Sequence, residues 1–342
     1  MSSLQIKDSF TAFNQNTPGI GVIANFKGKT VYQDTLGLAN CEHRIPIQPD
    51  SIFNLASVSK QFTGMAVLQL MEQGELGARD KLIRFVPELR HYADEVSIYE
   101  LAHHSSGLTD YNDLLWQKAR QNALHSDNAE VLSLLTQQEQ LRFTPGSAFE
   151  YSNSNYVLLA LIIERITGLS LRDYLKKYIF GVIGMENSTV FNEEQPVVPN
   201  RAYGYEQNGE NWKCNYADTF ATGTSNVLSS LEDLKKWDAA LYGNQLLGEE
   251  AQRAIFTPGL DSSGRPLTEF WGGYSYGWMI QERCGAKTIW HTGGDAGFRS
   301  IIVRFYEQQF SVILLSNSAS LDWSETYAFI ERLFNEFGQA GI

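Results

Sequence analysis

The chain has 342 residues, of which 43% are hydrophobic and 19% are charged, and its formal net charge at pH 7 is −12. This composition is typical of a folded protein with a substantial core and excludes a disordered chain. The acidic balance argues against a nucleic-acid partner, because nucleic acids select basic surfaces.

The compartment can also be predicted. No segment reaches the roughly 18 consecutive apolar residues of a membrane-spanning helix, and the first residues contain no apolar stretch of signal-peptide length. Cys41, Cys214 and Cys284 are widely spaced and form no CxxC pair. We therefore expect three plain thiols in a reducing compartment, the cytoplasm, and no membrane span.

The N-terminal part predicts a short helix and then a β-hairpin. Residues 19–26 (GIGVIANF) and 30–38 (TVYQDTLGL) are rich in strand-forming residues and are joined by the turn KGK. From about residue 75 to 200 the periodic segments are helical instead. One example is residues 155–168 (NYVLLALIIERITG), which Gly168 ends.

The C-terminal part returns to strands and ends in a helix. Strand-like segments cover residues 287–292, 298–306 and 310–317, and the short connection EQQ between the last two indicates a second hairpin. Apolar residues at helical spacing predict a helix from Trp323 to Phe337.

Strands at both ends with helices between them predict an α/β (α+β) fold. We expect an antiparallel sheet built from both chain termini and flanked by helices, with an inserted, mainly helical domain. Residues 1–75 and 205–342 are assigned to the sheet domain and residues 76–204 to the helical domain. The active site is expected in the cleft between them.

Residues 54–74 (NLASVSKQFTGMAVLQLMEQG) place a lysine in the first turn of a predicted apolar helix. The helix dipole disfavours a cation there, and a capping box would have Glu or Gln three residues after the serine. Ser57 and Lys60 share a helix face, so the amine can reach the hydroxyl. Burial and the dipole would lower the lysine pKa and make it a base for a serine nucleophile. Alone, the pair also fits a capping serine with a surface lysine.

A second candidate group is Tyr151-Ser152-Asn153, on a loop between a Pro-Gly turn and a helix. Serine and asparagine are ordinary caps at helix starts, and the tyrosine also fits a core position. In a functional interpretation, a tyrosine near an ammonium would have a lowered pKa and could shuttle protons. Asn153 could then orient the lysine or bind a substrate amide.

The third group, His291-Thr292-Gly293-Gly294, lies at the end of a predicted strand. Paired glycines allow a ligand to approach the backbone closely, which suits an amide that donates to an oxyanion. The same residues also fit a turn after an edge strand with an incidental histidine.

Together and in this order, the three groups resemble the signature of the serine β-lactamase and penicillin-binding protein superfamily. The similarity is to the class C β-lactamase-like branch, whose second element is Tyr-x-Asn, and it covers nearly the whole chain. Residues 101–111 (LAHHSSGLTDY) resemble the family loop L-x-x-H-T-S-G-L. Residues 223–237 (GTSNVLSSLEDLKKW) resemble its G-x-G-x-x-S-x-x-D-L-x-x-W segment.

The resemblance implies a β-lactamase/transpeptidase-like fold and a serine hydrolase that works through an acyl-enzyme. Ser57 would be the nucleophile, and Lys60 and Tyr151 would share the general-base and general-acid work. Asn153 would contact the substrate or hold Lys60. No metal or organic cofactor is implied.

The resemblance also implies where the substrate binds. His291, Thr292 and Gly293 would contact the substrate. The oxyanion hole would consist of the backbone N–H groups of Ser57 and Gly294. Each such donor typically contributes about 3 kcal/mol of transition-state stabilisation.

The sequence departs from the family at His291, where β-lactamases and penicillin-binding proteins usually have lysine. A permanent cation there helps to hold the substrate carboxylate, whereas histidine is mostly neutral at pH 7. Variants with H-x-G resemble esterases, D-amino-acid amidases and D-aminopeptidases. We therefore expect a hydrolase of small esters, amides or peptides, with a β-lactamase or penicillin-binding DD-peptidase as the alternative.

Other classes of function fit the sequence less well. A metal hydrolase could use His103, His104 and Asp110, although adjacent histidines diverge and no HExxH motif is present. A homologue that binds without catalysis usually lacks the nucleophile, the lysine or the tyrosine. Residues 270–280 (FWGGYSYGWMI) could form a protein-docking patch, but cleft lining or a strand before the HTG strand fits them better.

Overall fold

The computed structural model describes residues 4–119, 126–192, 197–215 and 219–339. Its strands are β1 (Ile20–Phe26), β2 (Lys29–Leu36), β3 (Leu38–Asn40), β4 (Ile45–Pro46), β5 (Phe53–Asn54), β6 (Thr189–Val190), β7 (Tyr205–Asn208), β8 (Asn211–Cys214), β9 (Val227–Ser229), β10 (Thr268–Glu269), β11 (Gly272–Ser275), β12 (Trp278–Arg283), β13 (Ala286–Asp295), β14 (Phe298–Phe305) and β15 (Phe310–Ser316).

Most of the α-helices lie in the middle of the chain, between β5 and β6. The α-helices are α1 (Ile6–Ser9), α2 (Lys60–Glu72), α3 (Ile98–Ala102), α4 (Tyr111–Ala119), α5 (Asn128–Thr136), α6 (Asn153–Thr167), α7 (Leu171–Leu175), α8 (Gly181–Ile183), α9 (Leu231–Ala240), α10 (Glu249–Ile255) and α11 (Trp323–Leu333). Short 3-10 helices cover Ala56–Ser59, Leu82–Arg84 and Pro87–Leu89, and π-helical turns cover Lys176–Phe180 and Phe334–Gly338.

Eight strands form one antiparallel sheet in the order β10-β11-β12-β13-β14-β15-β1-β2. The N-terminal hairpin joins the C-terminal strands through β1 and β15, with Ile23 opposite Ile313. This confirms the predicted antiparallel sheet built from both ends of the chain. The division into two domains at residues 75/76 and 204/205 stays a prediction. Strand β6 of the predicted helical domain pairs with β9 of the predicted sheet domain.

The two faces of the sheet are covered by different helices. Phe305 of β14 lies opposite Phe310 of β15, and Phe305 stacks on Phe334 after α11 with ring centroids 3.8 Å apart. The neighbouring pair, Arg304 and Ser311, points to the other face and binds α9. Alternation along the strands therefore buries both faces of β14 and β15.

Local signals account for many element ends. The turn of the first hairpin contains Lys27 and Gly28 at φ +50° and +76°, as tight hairpin turns require. Helix α6 ends at Gly168, which adopts the left-handed conformation at φ +69°. Ser97 and Glu100 form a capping box at α3. The predicted helix over residues 155–168 is thereby confirmed, with two further residues at its start.

Helix α2 is enclosed almost completely. All of its residues from Lys60 to Leu70 are buried, which explains why its apolar residues lie on nearly every side. Phe62 packs on Trp237 of α9 with ring centroids 4.4 Å apart, and the Trp237 indole donates to Gln61. The helix that follows Ser57 is therefore fixed in the core.

No single helix in the described residues is long and apolar enough to cross a bilayer. One pair of helical segments, α6 and Leu171–Ile183, is together long and apolar enough by length and composition alone, but the two are bent by 76° relative to each other.

A buried ion pair fixes α9 to the sheet, and its loss should destabilise the protein. Arg304 Nε donates to Asp238 Oδ1 at 2.7 Å, and Ser311 Oγ donates to Asp238 Oδ2 at 2.6 Å. We predict that Asp238→Ala lowers the free energy of unfolding by about 3–5 kcal/mol, because the guanidinium stays buried and uncompensated. Urea unfolding measures this loss.

The matched control is Arg84→Ala, which removes an exposed pair with Asp80 and should cost no more than about 1 kcal/mol. Equal losses in the two variants would contradict the assigned role of the buried pair.

Candidate active site

Ser57 lies in the short 3-10 helix Ala56–Ser59 that leads into α2. The residue before it, Ala56, has φ +48°, a conformation that costs free energy for a residue with a Cβ and often occurs at functional sites. Asn54 Oδ1 accepts a hydrogen bond from the Ala56 N–H at 2.9 Å and stabilises this turn. The backbone of the turn is thus fixed before the serine side chain is placed.

The amine of Lys60 is fully buried and has three oxygen neighbours. Its Nζ lies 3.1 Å from Ser57 Oγ, 2.8 Å from Asn153 Oδ1 and 2.9 Å from the Thr224 carbonyl oxygen. The amide and carbonyl oxygens can only accept hydrogen bonds. A neutral amine satisfies both with its two N–H groups and keeps its lone pair for the Ser57 hydroxyl.

Burial lowers the pKa of Lys60 to about 7, against the opposing influence of the Asp110 and Asp295 carboxylates. A substantial neutral fraction is therefore present at neutral pH. The short Ser57–Lys60 distance follows from the spacing in sequence, whereas the low pKa depends on the segments packed around the amine.

Asn153 connects Lys60 to two other segments. Its Oδ1 accepts from Lys60 and, at 2.6 Å, from Thr224 Oγ1. Its backbone N–H and its Nδ2 both donate to Asp110 Oδ2 at 2.8 Å. Asn153 therefore holds Lys60 in place, and because it also lines the cavity beside Ser57, its contact with the substrate stays a prediction.

Tyr151 lies beside the nucleophile, with its hydroxyl hydrogen-bonded to Ser57 and its ring centroid 5.0 Å from Lys60 Nζ. Burial raises the pKa of Tyr151, and the nearby Asp110 carboxylate raises it further. The expected lowering of this pKa is wrong, because burial outweighs every favourable contact of a phenolate. The phenol is thus protonated at neutral pH and can donate a hydrogen bond.

His104 holds the segment around Tyr151 from both sides. Its carbonyl accepts from the Glu150 N–H at 2.8 Å, and its Nδ1 accepts from the Ser152 N–H at 3.2 Å. Its ring packs on the Tyr151 ring with centroids 4.3 Å apart. Because Nδ1 accepts, the proton is on Nε2, and burial keeps the pKa of this imidazole well below its usual value.

The ring of His291 is 1% exposed and lies away from open solvent. Its Nδ1 donates to the Thr292 carbonyl at 2.5 Å, which leaves Nε2 to accept from the Tyr274 hydroxyl at 3.1 Å. Burial lowers the pKa of His291 to about 3. This imidazole is therefore neutral, and both of its nitrogens have protein partners. The contact of His291 with the substrate stays a prediction.

Strand β13 brings two glycines against the nucleophile turn. Its pairing with β12 ends at Trp290, and the edge beyond packs against the helix Ala56–Ser59. A Cβ on Gly293 would lie 2.3 Å from the Leu55 carbonyl oxygen, so this approach requires glycine. Gly294 is exposed on the same strand.

A cavity of about 130 Å³ opens beside Ser57, and we name it the nucleophile cleft. Among its lining residues are Ser57, Asn153, Thr224, Gly294 and Asp295. The serine and the predicted oxyanion-hole glycine therefore face one space. Thr292 is half-buried on the strand face that Gly294 also occupies, since side chains alternate along a strand.

The three residues considered as metal ligands, His103, His104 and Asp110, each bind a different part of the protein. Nδ1 of His103 lies 2.8 Å from the Tyr99 carbonyl, His104 holds the Tyr151 segment, and Asp110 holds Asn153. No group of three or more metal-binding side chains is found within the described residues. These contacts give His103, His104 and Asp110 structural roles within the protein.

Residues 270–280 are mostly strands of the main sheet. They span β11 and the start of β12, and Tyr274, Tyr276 and Trp278 are buried. Phe270 is 91% exposed and contacts Trp271. The preferred prediction of a strand before the HTG strand is confirmed.

Comparison with known proteins identifies the family. A family model described as Beta-lactamase matches residues 6–334. The chain belongs to this family. It is 30% identical over 312 residues to Penicillin-binding protein 4* of Bacillus subtilis (strain 168), covering 86% of this chain and 67% of that protein. It is 28% identical over 324 residues to a D-aminopeptidase of Gluconobacter oxydans (strain 621H), covering 93% and 59%.

Solved structures agree on the fold of this Beta-lactamase family member. The octameric penicillin-binding protein homologue from Pyrococcus abyssi superposes with a TM-score of 0.85 at 28% identity, covering 97% of this chain and 76% of that one. The D-amino acid amidase from Ochrobactrum anthropi SV3 gives a TM-score of 0.79 at 20% identity, covering 98% and 97%. At that identity the second likeness concerns the fold alone.

Sequence reasoning missed several residues of the site. Thr224 supplies both a carbonyl to Lys60 and a hydroxyl to Asn153, and Asp295 lines the nucleophile cleft. Thr224 lies in the segment 223–237 that resembles the family, and Asp295 directly follows the HTGG group. Neither signal gave the direction of a side chain.

The low pKa of Lys60 should appear as a pH-dependent stability. In the unfolded chain a lysine binds its proton up to about pH 10.4, whereas in the folded protein it loses the proton near pH 7. Between these values the unfolded state holds more protons, so stability rises with pH. From pH 7 to 9.5 wild type should gain about 3 kcal/mol relative to Lys60→Met.

The measurement is urea unfolding of both proteins at several pH values. The difference isolates Lys60, because all other titrating groups are shared. Parallel profiles for the two proteins would mean that Lys60 keeps an ordinary pKa.

Proposed function

We propose that this protein is a serine hydrolase that cleaves amides or esters through an acyl-enzyme on Ser57. One observation carries the proposal: a fully buried amine, with its pKa lowered to about 7, lies 3.1 Å from a serine hydroxyl in a cleft. A serine hydroxyl is a weak nucleophile at neutral pH and needs a base of this kind. Membership of the Beta-lactamase family supports the same chemistry.

Acylation begins with neutral Lys60. The Ser57 oxygen forms a bond to the substrate carbonyl carbon while its proton passes to Lys60 Nζ. The electron pair of the C=O double bond moves to the carbonyl oxygen. The N–H groups of Ser57 and Gly294 are proposed to bind this oxyanion, because the serine is at a helix start and the glycine is on the adjoining strand edge.

Collapse of the intermediate restores the C=O bond and breaks the bond to the leaving nitrogen or oxygen. Tyr151 is protonated and is hydrogen-bonded to Ser57, so its hydroxyl can give the leaving atom a proton. The Lys60 ammonium gives a proton to the Tyr151 oxygen in the same step, because burial disfavours a phenolate. Water attacks the acyl carbon in the second half-reaction with the same groups as base and acid, which releases the acid and frees Ser57.

The state of His291 favours amide and ester substrates over carboxylated β-lactams. A neutral imidazole whose nitrogens are bound by Thr292 and Tyr274 supplies no cation for a substrate carboxylate. The relative from Gluconobacter oxydans carries the name D-aminopeptidase, which fits this class of substrate. The β-lactamase or DD-peptidase alternative rests on the relative named Penicillin-binding protein 4*.

We predict that a fluorophosphonate forms one covalent adduct on wild type and none on Ser57→Ala. Intact-protein mass spectrometry counts the adducts, and peptide mapping locates them. Wild type should also hydrolyse p-nitrophenyl esters at least about a hundredfold faster than Ser57→Ala, because loss of a nucleophile typically removes several orders of magnitude.

Two controls separate the alternatives. Ser105→Ala removes a buried serine outside the nucleophile cleft and should leave the adduct in place. Benzylpenicillin turned over faster than the esters would favour the lactamase, and a persistent penicilloyl adduct would favour a penicillin-binding role. A wild-type protein that takes no adduct and turns over no ester would contradict the proposed function and favour a non-catalytic homologue.

A further inference from the structure

Asp295 is the last residue of β13 and follows the exposed Gly294 directly. It is half-buried and lines the nucleophile cleft together with Ser57, Tyr111 and Asn153. The cleft measures only about 130 Å³, so any group that enters it beside Ser57 lies close to the carboxylate. A substrate held for attack by Ser57 therefore has one of its groups next to the Asp295 side chain.

Burial raises the pKa of the Asp295 carboxyl, and two nearby cations, Lys60 and Arg299, lower it. Within the described residues this carboxyl makes no ion pair at 4.0 Å or less. Of the two cations, Arg299 donates through its Nη1 to the Phe298 carbonyl at 2.9 Å. The N–H of Ala296 supplies one hydrogen bond to the carboxylate, which leaves further acceptor capacity.

The other carboxylate near the site is already occupied. Asp110 Oδ2 accepts two hydrogen bonds from Asn153, and its Oδ1 accepts one from the Asn112 N–H at 2.9 Å. Lys60 cannot neutralise both acids, because its amine is shared among three oxygen neighbours and is partly uncharged at neutral pH. Within the described residues the nucleophile cleft therefore contains a carboxyl group, that of Asp295, with no ion pair at 4.0 Å or less and with free acceptor capacity.

We propose that Asp295 binds a free ammonium group on the acyl half of the substrate, next to the scissile carbonyl. The substrate class is then amides, esters or short peptides of amino acids with an unblocked amino group. This inference rests on the proposed acyl-enzyme function of Ser57. Asp295 on β13 would then select substrates with a positive charge. The neutral His291 agrees with this, because it offers no cation to a substrate carboxylate.

The test compares alanine p-nitroanilide, as each enantiomer, with its N-acetyl counterpart. Acetylation removes the positive charge and keeps the scissile anilide. Wild type should have the higher kcat/KM for the free amine in at least one enantiomer. In Asp295→Asn the ratio of free-amine to N-acetyl kcat/KM should fall at least about tenfold, as expected for a lost charge-assisted hydrogen bond.

The control variant is Glu250→Gln, which changes net charge equally at an exposed position of α10 and should leave the ratio at the wild-type value. A second measurement uses unmodified protein. Alaninamide should inhibit hydrolysis of p-nitrophenyl acetate at lower concentration than N-acetylalaninamide does. This comparison stays informative if Asp295→Asn does not fold.

The outcomes separate this inference from the proposed function. An unchanged ratio in Asp295→Asn, equal inhibition by the two amides, or a wild-type preference for the N-acetyl substrate overturns the role of Asp295. If wild type still takes a fluorophosphonate on Ser57, the hydrolase proposal survives that result. Absence of both the adduct and all hydrolysis overturns both.

Discussion

The site depends on the burial of the Lys60 amine, which has no ion-pair partner within the described residues. Lys60 is fully buried in α2, and within the described residues no carboxylate lies within 4 Å of it. Burial of a charge in this way is costly, and the protein lowers that cost by shifting the pKa to about 7. The same shift turns a lysine into a base beside Ser57, so the destabilising feature of the helix is the chemically useful one.

The rest of the fold positions partners around that amine. The sheet brings β13 against the nucleophile turn, where Gly293 permits the close approach. Asn153 and Thr224 supply the two acceptors that take the N–H groups of a neutral amine. Burial keeps Tyr151 protonated and lowers the pKa of Lys60. The two groups beside the Ser57 hydroxyl therefore differ in protonation because of their environments.

Sequence reasoning succeeded where the interaction is local and failed where it is not. The Ser57–Lys60 approach follows from i,i+3 spacing, and the hairpins and α6 follow from turn residues and apolar periodicity. The direction of the Tyr151 pKa shift was wrong, because the burial that sets it comes from His104 and other segments distant in sequence. The buried orientation of His291 depends in the same way on Tyr274, seventeen residues earlier on another strand.

The most direct test of the account is the pH dependence of Ser57 phosphonylation, measured as a rate by intact-protein mass spectrometry from pH 5 to 10.5. If neutral Lys60 activates the serine, the rate rises through one ionisation near pH 7 and then levels off, since Tyr151 stays protonated across this range. A rate that keeps rising to pH 10 would mean that Lys60 remains an ammonium in the folded protein. That result would contradict the role of Lys60 as the base that activates Ser57.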